Sequence, residues 1–127
     1  MIKVVLLLSM LFCHLVDDYY LQGILATFKQ KKNWEKMPDL YRNDWKIALF
    51  EHAFSWTFMM MLSITVAALA GWISVTVVPY LCLFVANLLW HAFIDHLKCN
   101  SLKINLWEDQ VAHIFQIILT WIILVII

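Results

Sequence analysis

Ile2 to Gln22 reads IKVVLLLSMLFCHLVDDYYLQ. From Val4 to Val16 only Ser9 and His14 interrupt the apolar run. A helix crosses about 30 Å of hydrocarbon in about 20 residues, and this stretch has that length. No small-x-small cleavage site follows, and Asp17 and Asp18 come next. The segment therefore predicts a mature membrane helix, not a signal peptide. Its polar end is ordered. His14, Asp18 and Gln22 recur every four residues, which places them on one helix face.

The same reading extends outward. The chain has 127 residues, of which 64% are hydrophobic and 14% charged. Its mean hydropathy is +0.79. Soluble domains are about 45–50% apolar and about 25% charged, so lipid is the expected solvent for most of this surface. Three further runs match the first, at about 46–70, 74–97 and 106–127. Gly71 is the best breaker between the second and third, and Pro79 either kinks the third helix or occupies its first turn. Length argues against buried strands, since strands usually hold 3–10 residues. The expected architecture is one all-α membrane domain over 1–127, with four transmembrane helices in an up-down-up-down bundle.

Residues 23–45 form the one long polar stretch. Its lysines and arginine alternate with Trp34, Tyr41 and Trp45, as expected of an amphipathic segment on the membrane surface. A short interfacial helix is predicted up to Met37, because Pro38 stops it. The loops after helices one and three carry eight of the nine basic residues. By the positive-inside rule those loops are cytoplasmic and both termini lie outside, as in a bacterial inner-membrane protein. Net charge is zero, with no basic excess for nucleic acid. Cys13, Cys82 and Cys99 have no metal-site spacing and read as small apolar residues.

Ionisable groups inside a span cost about 2.5–3.5 kcal/mol each on the mildest scale, yet this chain has many. His91 and Asp95 are four apart, as are Asp109 and His113, and Asn87 precedes His91 by four. His52 lies early in the second span, with Glu51 about 100° away around the helix. The polar groups end helices one and three and begin helices two and four. In an up-down-up-down bundle those four ends meet at one level, in the cytoplasmic half. His14, Asp18, His52, His91, Asp95, Asp109 and His113 are thus candidate ligands for a divalent metal such as zinc, manganese or iron. They suffice for one ion, or for two about 3.5–4 Å apart. Gln22 and Gln110 would orient ligands or water from outside that set. Asp17, Glu51, His96 and Glu108 fall off the shared faces. A structural His–Asp network, or a proton or ion pathway, would use the same residue types.

HLVDDYYLQ from His14 to Gln22 resembles the HxxxDxxxQ opening of the domain-of-unknown-function 3307 family of small bacterial and phage membrane proteins. His91 to Lys98 resembles that family's HxxxDxxK motif, and Asp109 to His113 its closing DQxxH. His52 matches a histidine early in the family's second helix. The resemblance covers nearly the whole chain and implies a small helical membrane protein with a His/Asp centre.

The functional expectation is a membrane-embedded, metal-dependent hydrolase facing the cytoplasm. The metal would polarise an ester or phosphoryl oxygen, and Asp18, Asp95 or Asp109 would serve as ligand or general base. Lys98 or the Lys29–Lys36 run would hold an anionic headgroup, so the expected substrate is a lipid or other anionic amphiphile. The alternatives are a metal-ion or proton transporter, small enough to need an oligomer, and a non-enzymatic phage or bacterial regulator of membranes.

Overall fold

A computed structural model describes residues 1–127. The chain is all-α, and four helices are long and apolar enough to cross a membrane. Helix α1 spans Ile2–Leu21. A one-turn helix, α2, follows at Leu25–Phe28, and then a 3-10 turn at Lys31–Asn33. The remaining spans are α3, Trp45–Leu69; α4, Val77–Cys99; and α5, Leu106–Ile126. The expected spans agree with these to within three residues.

Helices α1, α3, α4 and α5 pack in a ring, each against the next. The end of α1 meets the starts of α3 and α5, while the Trp121 indole near the end of α5 donates to the carbonyl of Lys3 at the start of α1 (2.8 Å). Directions therefore alternate around the ring. One half of the bundle is filled by Leu6, Met10, Met60, Met61, Ile64, Ala67, Ile117, Leu124 and Val125. This half contains two of the three consecutive methionines, whose flexible side chains suit irregular gaps. The other half contains the polar cluster.

The helix ends follow local chemistry. Helix α3 closes in a Schellman motif. Trp72 N–H donates to Ala67 O (2.9 Å) and Gly71 N–H to Ala68 O (3.0 Å). Gly71 has φ +73°, and a Cβ there would meet no atom within 4 Å. The cost of a side chain is therefore backbone strain alone, about 1–2 kcal/mol. Gly71→Ala should lower thermal stability in detergent by that amount, and an unchanged melting temperature would contradict the motif's role. Pro79 lies in the first turn of α4 and does not kink it. Helix α5 starts with a capping box in which Asn105 Oδ1 accepts from Glu108 N–H (3.0 Å) and Glu108 Oε2 accepts from Asn105 N–H (2.8 Å).

The interfacial segment departs from expectation. The predicted helix up to Met37 is only the single turn Leu25–Phe28. Side chains capture its last carbonyls: Asn33 Nδ2 donates to Thr27 O and the Trp34 indole to Phe28 O, each at 2.7 Å. Gln30 is extended, so the chain turns there instead of continuing the helix. Asn100, at the end of α4, then fixes the turn, donating to Lys29 O (3.1 Å) and accepting from Lys31 N–H (2.7 Å). Trp45 is also not a surface anchor. It is buried and stacks on His96 at 5.5 Å between ring centroids.

Candidate metal centre

The last turn of α1 is π-helical, over Asp17–Leu21, and closes with Gln22 N–H to Asp17 O (3.0 Å). The extra residue per turn widens the helix, a device common at functional sites. Here it buries two adjacent carboxylates. Asp18 turns into the bundle centre, whereas Asp17 Oδ1 accepts from the Ser55 hydroxyl of α3 (2.7 Å). The doublet thus separates into one carboxylate in the cluster and one beside it.

In the centre, imidazoles from three helices present Nε2 to the carboxylates. His52 Nε2 lies 3.4 Å from Asp18 Oδ1 and 3.1 Å from Asp95 Oδ2. His91 Nε2 is 3.2 Å from His52 Nε2 and 3.8 Å from Asp95 Oδ2. His113 Nε2 is 3.6 Å from Asp95 Oδ1 and 3.4 Å from Asp109 Oδ1. All six of these residues are buried. Three overlapping groups have ligand atoms within 4.8 Å of one another: Asp18, His52 and His91; His91, Asp95 and His113; Asp18, Asp109 and His113.

Unpaired atoms test whether a metal fits. His113 Nε2, Asp95 Oδ1 and Asp109 Oδ1 are buried with no hydrogen-bond partner. Buried polar atoms are normally satisfied, and an orphan costs about 1–3 kcal/mol. The ring nitrogen stands between the two oxygens at 3.4 and 3.6 Å. Ligand atoms about 2.0–2.1 Å from a tetrahedral zinc lie about 3.4 Å apart. A dication held by His91, Asp95 and His113, or by Asp18, Asp109 and His113, would satisfy the ring nitrogen and the orphaned oxygen of that group, so the residues fit a metal ion.

His14 has a different task. The Trp56 indole N–H donates to His14 Nδ1 (2.7 Å). Indole nitrogen only donates, so Nδ1 is an acceptor and Nε2 carries the hydrogen. That hydrogen goes to Gln110 Oε1 (3.1 Å). The Gln110 amide nitrogen must then face the acids, and it donates to Asp18 Oδ2 (3.1 Å) and Asp109 Oδ2 (3.0 Å). One chain of forced polarity thereby holds the Oδ2 atoms of two carboxylates and leaves their Oδ1 atoms toward the histidines. Both nitrogens of His14 are occupied, so it acts through Gln110. Gln22 stays apart from the cluster, its amide donating to the carbonyl of Asp18 one turn back.

Two lysines close the loop end of the cluster. Lys29 Nζ pairs with Asp95 Oδ2 at 2.6 Å, and Lys98 Nζ with Asp109 Oδ2 at 2.5 Å. Both were expected to face headgroups, but both turn inward. Asp18, Asp95 and Asp109 against two ammoniums leave one negative charge, and one dication would turn this to one positive. Trp56 forms the floor. It stacks on His91 (centroids 4.2 Å, 18°), which stacks on His113 (4.2 Å, 29°). Sequence reading placed Lys29 at headgroups instead of in the cluster, and it missed Trp56. Trp56 follows His52 by four residues, so the signal for it was present. Lys29 had no such signal, because its position depends on Asn100. Glu51 and Glu108 are exposed, and His96 bonds Ser101 Oγ (3.1 Å) away from the cluster.

The fold and site define a four-span helical membrane-type protein with a buried His/Asp group able to hold a metal ion. Comparison with protein-family models, curated proteins and solved structures finds no match.

Proposed function

We propose that the protein is a membrane-embedded, metal-dependent hydrolase acting on an ester or phosphoester bond of a lipid, with its centre toward the cytoplasm of a bacterial cell. The three motifs beginning at His14, His91 and Asp109 support placing it with the domain-of-unknown-function 3307 proteins. The observation that carries the hydrolase reading is the set of orphaned ligand atoms around His113 Nε2, buried where the helix ends meet the basic loops. His52, His91 and His113, with Asp18, Asp95 and Asp109, would hold the ion. A dication there supplies Lewis acidity and acidifies a water. The protein's own groups position and exclude. Gln110 orients Asp18 and Asp109, Trp56 and the apolar half seal the site from below, and an aspartate oxygen left free of the ion would accept a proton.

A transport reading has one observation in its favour. Asn87, Gln116 and Thr120 extend the buried polar groups one to two turns beyond His91 and His113, with Asn87 Nδ2 donating to Thr120 Oγ1 (2.9 Å) and Gln116 Nε2 to Asn87 O (2.7 Å). Beyond them Met60, Met61, Ile64 and Leu124 close the bundle, so the hydrolase reading fits better.

The test is elemental analysis of detergent-purified protein by plasma mass spectrometry, beside hydrolysis of lipid phosphoesters. About one or two equivalents of zinc, manganese or iron are expected, falling below about a tenth in His113→Ala and Asp109→Ala variants that retain their helical circular dichroism. Protein that stays metal-free after reconstitution with each ion would end the hydrolase reading. Metal uptake into proteoliposomes without lipid turnover would transfer support to transport.

A further inference from the structure

Lys29 and Lys98 are cations with hydrogen-bonding capacity to spare. An ammonium has three N–H donors. Lys29 spends one on Asp95 Oδ2 and Lys98 one on Asp109 Oδ2. The Lys29 side chain is only 5% exposed and that of Lys98 23% exposed. A buried donor left unmade is costly, and water is scarce around Lys29. The two ammoniums also flank one carboxylate, since Lys98 Nζ lies 4.0 Å from Asp95 Oδ1 while Lys29 holds Oδ2. Both come from the end of the bundle nearest the membrane surface. Lys29 follows the interfacial turn α2, and Lys98 is the penultimate residue of α4. In a bilayer crossed by these four helices, headgroup phosphates would lie near that end.

We infer that Lys29 and Lys98 form an oxyanion subsite beside the candidate metal centre, which takes a singly charged phosphate group. The inference rests on the hydrolase reading and narrows its substrates to phosphodiesters and phosphate monoanions. Charge supports this choice. Three candidate-ligand carboxylates, one dication and two ammoniums leave a single positive charge, the complement of a phosphodiester. Lys98, the more exposed of the two, forms the mouth, and Lys29 is held in place by Asn100. Ammonium groups meet phosphate oxygens with charge-assisted bonds of about 2.7–2.9 Å, which the unspent donors can supply without breaking either pair to aspartate.

The test is equilibrium dialysis of the full-length, detergent-purified protein with radiolabelled inorganic phosphate, with metal content measured on the same samples. Saturable binding is expected, weakened at least tenfold in Lys29→Met and Lys98→Met and restored in Lys98→Arg, with the metal retained throughout. Phosphate binding that is absent in wild type, or equal in wild type and both methionine variants, would overturn the subsite. So would loss of metal together with phosphate in both variants, because the lysines would then serve only as counter-ions of the ligand aspartates. Protein in nanodiscs of phosphatidylcholine with and without phosphatidic acid separates the two sources of phosphate. If either nanodisc displaces the labelled phosphate, the ligand is a lipid headgroup phosphate, and displacement by phosphatidic acid alone narrows it to an anionic headgroup. If neither competes while phosphate still binds, it is a soluble phosphate. A metal-free protein that binds phosphate through both lysines would retain the subsite while ending the hydrolase reading.

Discussion

Asp95→Leu should destabilise the protein by about 3–5 kcal/mol, and adding Lys29→Met should restore most of that loss. Asp95 is fully buried and holds Lys29 Nζ at 2.6 Å. Removing it alone leaves an ammonium inside the bundle with no carboxylate partner. Breaking a buried pair from one side costs about that much, whereas replacing both partners with apolar groups of similar size is often nearly neutral. The comparison is made by unfolding in mixed micelles, with both single variants and the double variant. A double variant no more stable than Asp95→Leu would show that Lys29 is not the group Asp95 neutralises. Neither variant lacking Asp95 should hold metal at wild-type affinity, because the carboxylate also lies within 3.1–3.8 Å of His52, His91 and His113.

The second large effect belongs to Trp56. Trp56→Phe keeps an aromatic floor under His91 but removes the N–H that fixes His14. His14 is then free to place its hydrogen on either nitrogen. Where Nδ1 takes it, Nε2 becomes an acceptor and the Gln110 amide turns over, withdrawing its donors from Asp18 and Asp109. Loss of such supporting hydrogen bonds typically lowers metal affinity by about 10–100-fold. Metal titration reads the affinity, and nitrogen-15 spectra of labelled histidine read the tautomer, which packing alone would not change. A wild-type tautomer with weakened metal binding would refute the relay. Trp56→Ala should in addition cost about 3–5 kcal/mol through the cavity it leaves, since Trp56 is fully buried.

The spans were legible because burial in lipid demands a length and a polarity that few other structures share. The meeting of the His and Asp groups was legible for a related reason. Four-residue spacing sets direction, and position along each helix sets depth, so His52, His91, Asp95, Asp109 and His113 converge once helix directions alternate. Non-local choices were hidden. Four-residue spacing from His14 sets Asp18 apart from Asp17, but it does not show the π-helical turn that buries both carboxylates. Lys29 reads as one more basic residue of a surface loop, and it turns inward because Asn100, 71 residues later, holds its carbonyl. Trp56 shares the face of His52 by its four-residue spacing, but the spacing does not show what its indole reaches. Its role depends on the one acceptor it reaches.

The apolar half of the bundle has a consequence for traffic. The polar cluster lies toward one end of the bundle, and Leu6, Met10, Met60, Met61 and Ile64 fill the other. On the proposed hydrolase reading, a substrate would leave by the door it came through, so turnover would alter one leaflet without carrying cargo across or draining the voltage that the rest of the membrane maintains.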